Sequence, residues 1–151
     1  MASDVVGVRG QVLLTWRDLD TGAIERRTVT NLVVTTGLTH IASVVAGTAT
    51  GAWYIELGTG TTAATSGDTA LGTPSAASWR SVTAQTASSS SATFGAVYPA
   101  ASSNGTWTEV GLFGGATATA GSGSLVARIV TTVTKTSSQV LTVSWSLTFT
   151  T

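Results

Sequence analysis

Residues 140–150 read VLTVSWSLTFT. Leu141, Val143, Trp145, Leu147 and Phe149 take alternate positions, and Thr142, Ser144, Ser146 and Thr148 fill the places between them. Successive strand side chains point to opposite faces, so this period of two predicts a strand with one buried apolar face and one Ser/Thr face. Just upstream, SLVARIVTTVTK (124–135) is rich in β-branched residues and also predicts a strand. Thr136, Ser137 and Ser138 separate the two, which predicts a β-hairpin.

The same signal recurs through the chain. QVLLTWRDL (11–19) and AIERRTVTN (23–31) flank Asp20-Thr21-Gly22, turn residues that predict a second hairpin. Shorter strands are expected at AWYIEL (52–57), SWRSVTAQ (78–85), ATFGAVY (92–98) and TWTEVGLF (106–113). One stretch has a different period. In TTGLTHIASVVAG (35–47), Leu38, Ile41, Ala42 and Val45 recur at helical spacing, which predicts a short helix over about 37–46. Thr35 or Thr36 is the expected cap and Gly47 the expected stop. Three low-complexity loops, GTGTTAATSGDT (58–69), TASSSSA (86–92) and GGATATAGSGS (114–124), have strands on both sides, so none is a domain linker. The expected fold is all-β: one antiparallel sandwich or barrel-like domain of about eight strands. The helix plugs one open end. Residues 1–30 form an N-terminal arm (about 1–9) and hairpin, and 31–151 the β-rich core of the same domain.

Composition narrows the function. The chain has 151 residues, a formal net charge of zero and no cysteine, which excludes disulfides, zinc–thiolate sites and thiol nucleophiles. With no basic excess, nothing tracks a nucleic-acid backbone. No stretch reaches the ~18 apolar residues of a spanning helix. The start Met-Ala-Ser-Asp-Val argues against a signal peptide. Only 9% of residues are charged, against about 25% in typical soluble domains. Eight of the 14 charged residues lie in residues 1–27; the other six are Glu56, Asp68, Arg80, Glu109, Arg128 and Lys135. Such depletion fits a surface covered by copies of the chain or by a partner.

Catalytic constellations are thin. His40 is the only histidine, so a Ser–His–Asp arrangement or a histidine metal site would have to use it. Its place beside the apolar stripe favours a bystander or a satisfied histidine. GTGTTAATSGDT has the glycines of a phosphate loop but lacks the Gly-Lys-Ser/Thr ending. Glu56 and Glu109 are the only carboxylates inside predicted strands and the one pair available for glycoside hydrolysis. The five tryptophans, Trp16, Trp53, Trp79, Trp107 and Trp145, all fall in predicted strands. Exposed on one sheet they would suit sugar binding; Trp145, in phase with its apolar neighbours, reads as core. No catalytic, metal or cofactor-binding set is expected, and the chain is read as a non-enzyme.

Five segments, in order, resemble a widespread group of small tailed-bacteriophage virion proteins: NLVVTTGLTHIASVVAG (31–47), YIELGTGTTAATSGDTAL (54–71), WTEVGLF (107–113), LVARIV (125–130) and VLTVSWSLTF (140–149). The resemblance covers about residues 31–150. It implies a structural protein of the virion, made in the host cytoplasm: a capsid decoration (cement) protein on the outer surface of the shell, or alternatively a tail, fibre or baseplate component. It further implies a β-rich homo-oligomer, a trimer, with the major capsid protein as partner, or tail proteins in the alternative. No nucleic-acid or membrane partner is expected, from the zero net charge and the lack of a spanning stretch. Residues 1–30 lie outside the strongest match and hold most of the charge, so they are the candidate attachment region. A carbohydrate-binding host-attachment module is the more distant alternative.

WTEVGLF poses the one site question. Alternation places Trp107, Glu109, Gly111 and Phe113 on one face, so Glu109 shares its face with aromatics. An unpaired buried carboxylate costs several kcal/mol. Glu109 is therefore expected to be a structural carboxylate that pairs with Arg128, pairs with Arg80, or accepts backbone N–H bonds. Gly111 is expected to let a large side chain or a backbone approach closely.

Overall fold

The computed structural model describes residues 7–151. Nine strands form one antiparallel sheet: β1 (Gly7–Asp18), β2 (Ile24–Val33), β3 (Ala52–Gly58), β4 (Arg80–Ser81), β5 (Ala84–Ser88), β6 (Ser91–Tyr98), β7 (Gly105–Ala116), β8 (Ser124–Lys135) and β9 (Gln139–Thr150). Their order is β4-β3-β7-β8-β2-β1-β9-β6-β5. The sheet curls into a barrel-like, all-β domain. Its inner face holds one core, which includes Val12, Leu14, Ile55, Leu57, Val143 and Trp145, each 0% exposed.

The curl has a weak seam and a tie. β2 and β8 share only the pairs Leu32–Arg128 and Val33–Ala127, so the sheet bends there into two layers. At the far ends the chain itself links the layers. Val82 donates its N–H to the Trp53 carbonyl on β3, and Thr83 donates to the Gly95 carbonyl on β6. The Tyr98 hydroxyl also donates to the Ile55 carbonyl across the core, at 3.0 Å.

Several expectations change here. The predicted strand 78–85 is broken into a turn of 3-10 helix (Ala76–Ser78), β4 and the start of β5, because this segment passes from one layer to the other. The predicted loop 86–92 is the β5–β6 hairpin, with Ser89 at φ 50° in its turn. β8 and β9 do not form a hairpin: β8 pairs with β7 and β2, and β9 with β1 and β6. Each has one apolar face, and Thr136–Ser138 carries the chain across so that both faces enter the core from opposite layers. The N-terminal hairpin does form, with Gly22 at φ 73° in its turn. It is no appendage: β1 pairs with β9 along its whole length, from Gly7–Thr150 to Asp18–Gln139. Of the expected arm, residues 7–9 are strand and residues 1–6 lie outside the described residues.

The helix α1 (Thr35–Val45) is where expected, but its buried face is not. Leu38, Val44 and Val45 are exposed, while Gly37 and His40 are buried and Ile41 packs at the edge of the main core. The buried stripe is turned by about one residue because the helix lies directly on the β8 backbone. Thr36 spends its hydroxyl on the Leu125 carbonyl instead of capping, and Val34 is the cap residue, without a side-chain bond. Gly47, at φ 70°, follows the last turn as expected.

Helix α1 and residues 59–79 cover the outer face of the β3-β7-β8 layer. Beneath them lies a second small core of Val34, Leu71, Phe113, Ala116 and Leu125. His40 is wedged into this cover. Its ring meets Trp53 edge-on at 5.2 Å between centroids and lies against the backbone of Gly114 and Gly115. Burial lowers its pKa below the ordinary 6.5. A depressed histidine favours the unfolded chain on protonation, so its contribution is complete above pH 6.5 and is lost as pH falls through that value toward the folded-state pKa. Wild-type melting temperature is expected to fall between pH 7.5 and 5.5 by more than that of His40→Gln, as read by thermal denaturation at the two pH values. Equal drops would show that His40 is not the group responsible.

Candidate functional site

The site is built on β7 and β8, under the loop that follows β3. Gly111 pairs with Arg128 and Glu109 with Val130, and on the other side Gly58 pairs with Glu109. Paired residues share a face, so Glu109 and Arg128 rise side by side beneath residues 59–73. Glu109 is 0% exposed and Arg128 3%. Arg128 Nη2 lies 2.8 Å and Nε 3.0 Å from Glu109 Oε2, a two-nitrogen grip on one oxygen.

The remaining acceptor capacity of Glu109 is taken by backbone. Gly60 N–H donates to Oε1 at 2.9 Å, Thr73 N–H to Oε1 at 2.7 Å and Gly72 N–H to Oε2 at 2.9 Å. Burial alone pushes this carboxyl up. The N–H groups of Thr73 and Gly72, the Arg128 guanidinium and the Gly60 N–H more than offset it, holding the group below the ordinary carboxylate range. Arg128 carries the network outward: Nη1 meets Asp68 Oδ2 at 2.7 Å and Nη2 donates to the Thr62 carbonyl at 3.0 Å. Asp68 in turn accepts the N–H and hydroxyl of Thr65. The Thr108 hydroxyl donates to the Gly60 carbonyl. One carboxylate and one guanidinium thus fix both arms of a long loop.

The glycines are there for space. A Cβ on Gly58 or on Gly60 would stand 2.5 Å from Glu109 Oε1. The phosphate-loop likeness of GTGTT has a partial physical counterpart: one of its N–H groups, that of Gly60, points at an anion, joined by those of Gly72 and Thr73 from the other arm of the loop. The anion is the protein's own carboxylate. Gly111 leaves room for Leu71, whose Cδ2 would be 2.8 Å from an added Cβ.

Of the residues singled out from sequence, Glu109 and Arg128 are brought together and Arg80 is not among their partners. Arg80 lies over the Tyr98 ring at 5.6 Å and donates to the Ser102 hydroxyl. The expected grouping of Trp107 with Glu109 fails. Trp107 and Glu109 are two positions apart on β7, but their partners Val133 and Val130 are three apart, and at this irregularity Trp107 turns to the main core. The roles of two residues, Asp68 and Lys135, were not legible in the sequence. Asp68 closes the network, signalled only by its place at the end of the loop. Lys135, 1% exposed, donates to the carbonyls of Ala100 and Ser102 and to Asn104 Oδ1, tying down the β6–β7 loop. Glu56, 2% exposed, has its pKa raised by burial and then by the charge of Glu109.

These facts bear on chemistry. Glu109 has no surface to offer a substrate, and His40 packs against Trp53 and the β7 backbone. Among the described residues no three His, Asp or Glu side chains gather as metal ligands. None of the five tryptophans is exposed; Trp16 and Trp145 are buried and the others half-buried, so no aromatic platform faces solvent. Among the described residues no helix is long and apolar enough to cross a membrane. The chain matches no family model, no curated protein and no solved structure.

Proposed function

We propose that this protein is a non-enzymatic structural component of a tailed-bacteriophage particle, a decoration protein that binds and stabilises the assembled shell. The observation that carries the reading is the placement of charge. After residue 27, no charged side chain is exposed: Glu56, Glu109, Arg128 and Lys135 are buried, and Asp68 and Arg80 half-buried. Every exposed charge among the described residues belongs to the β1–β2 hairpin: Arg9, Arg17, Asp20, Glu25, Arg26 and Arg27. Most of the remaining exposed surface is Ser, Thr, Ala and Gly, with scattered apolar side chains such as Leu38, Val45 and Val97. Free domains keep a quarter to a third of their surface charged for solubility, and interface centres are depleted of charge. A neutral, hydroxyl-rich exterior suits close packing in many copies. The charged hairpin, fixed in the sheet by β1, suits attachment to the shell. A protein that binds only the assembled shell stabilises that state by mass action.

The order of the sequence segments supplies the phage context, and the internally satisfied Glu109 supports a structural role over a catalytic one. Cosedimentation of the purified protein with expanded shells assembled without it is the test. Saturable binding is expected, with shells surviving heating that disrupts undecorated ones. Binding to tails and not to shells would move the protein to the tail. Binding to neither would overturn the proposal.

A further inference from the structure

The two layers differ in what covers them. The outer face of β3-β7-β8 lies under α1 and the 59–79 loop, whereas the outer face of β2-β1-β9-β6-β5 carries no covering segment of residues 7–151. At about 4.8 Å per strand and 3.3 Å per residue, five strands of roughly eight residues present about 24 by 26 Å, roughly 600 Å² in projection. A standard interface takes about 800 Å² of accessible surface from each partner. The middle of this face is uncharged. β9 contributes only Thr142, Ser144, Ser146 and Thr148 there; of the arginines that point this way, Arg9 and Arg17 stand near the ends of β1, and Arg26 stands on β2 at the lateral margin, beside Thr15.

Relief on this face follows the pairing register. One row runs Leu13–Ser144–Gly95–Ala84, and the next runs Thr15–Thr142–Val97. Leu13 is 37% exposed and Val97 43%, so each stands proud of small neighbours. Leu13 is one strand to one side of β9, and Gly95 one strand to the other side, in the same row. Val97 and Thr15 have the same relation in the next row. A two-fold axis along β9 therefore sets Leu13 of one copy over Gly95 of the other, and Val97 over Thr15, with both contacts made twice. It also places Arg26 at the opposite lateral margin from its symmetry mate, so like charges stay apart.

We infer that this bare face is a self-association surface, on which a second copy stacks sheet to sheet about a two-fold axis along β9. The inference rests on the proposed multi-copy structural role and names its surface. It gives an isologous dimer, where the resemblance to phage proteins implies a trimer. A copy of the same chain is the occupant the relief fits, because knob and trough lie on one face at mirrored positions. The packing belongs to the aligned class of stacked sheets, about 10 Å apart.

Multi-angle light scattering decides it. Wild type is expected at twice the 15.2 kDa chain mass. Leu13→Glu and Gly95→Arg are each expected at the mass of one chain, with unchanged circular dichroism. Gly95 tolerates a side chain, since an added Cβ has only ordinary contact with Ala84, at 3.4 Å. The double variant L13E/G95R sets the introduced carboxylate of one copy against the introduced guanidinium of the other, twice, and is expected to regain the dimer. A wild-type monomer, a trimer, or a dimer indifferent to both single changes would overturn the inference. Shell binding by a wild-type monomer would overturn it while leaving the proposed function standing.

Discussion

Glu109→Ala is expected to lose about 3–5 kcal/mol of stability, the range for removing one partner of a buried ion pair. The substitution strands Arg128, 3% exposed, and leaves the N–H groups of Gly60, Gly72 and Thr73 without their acceptor. At ~2–4 °C per kcal/mol for a chain of this size, the melting temperature falls by roughly 10 °C. Glu109→Gln keeps the shape but places an amide donor where the site has only donors to offer, so it falls as well. Hydrogen exchange should show the amides of residues 60, 72 and 73 losing protection before the β1–β9 ladder does. The pH sign follows from the lowered carboxylate: its contribution is complete above the ordinary 4.5 and disappears as pH falls below it toward the folded-state pKa. Acid lability below pH 4.5 should therefore be shallower in Glu109→Gln. Wild-type melting in either variant would sink the view that this carboxylate holds the loop.

Gly37→Ala tests a conflict between local and tertiary preference. Alanine is favoured over glycine inside a helix by about 1 kcal/mol, so propensity alone predicts stabilisation. The fold predicts the reverse. A Cβ at position 37 would lie 2.2 Å from the Val126 carbonyl oxygen and 2.6 Å from its Cα, both backbone atoms. The helix has no easy retreat, because Val34 N–H is bonded to that same carbonyl and the Thr36 hydroxyl to the Leu125 carbonyl. Overpacking costs about 1–3 kcal/mol or more when the surroundings cannot shift. A net loss of about 2 kcal/mol is expected, a fall of roughly 4–8 °C in melting temperature. A rise would mean that α1 is not seated on β8 as described.

The face of WTEVGLF shows how far alternation reaches. Glu109, Gly111 and Phe113 do turn away from the main core, as a period of two requires, but Trp107 does not. The register irregularity between β7 and β8 that turns it depends on how two distant strands meet. Helix α1 gives the same lesson. Its limits could be read from Gly47 and the apolar spacing, while its buried stripe followed Gly37 and His40, the residues that let it approach a backbone.

The β-class of the chain, most strand positions and the N-terminal hairpin were set by local pattern, because a period of two and turn residues are properties of neighbours in sequence. So was the expectation that a lone carboxylate in an apolar strand needs a partner, which follows from the cost of burying charge. The choice of Arg128 over Arg80, the cradle of Gly60, Gly72 and Thr73, the crossing of β8 and β9 into opposite layers, and the bare face around β9 were decided only in the folded chain. Each depends on which residues, up to 143 positions apart as in the Thr150–Gly7 bond, the curled sheet brings within hydrogen-bonding distance. Register across strands is a non-local quantity that no stretch of this sequence carries by itself.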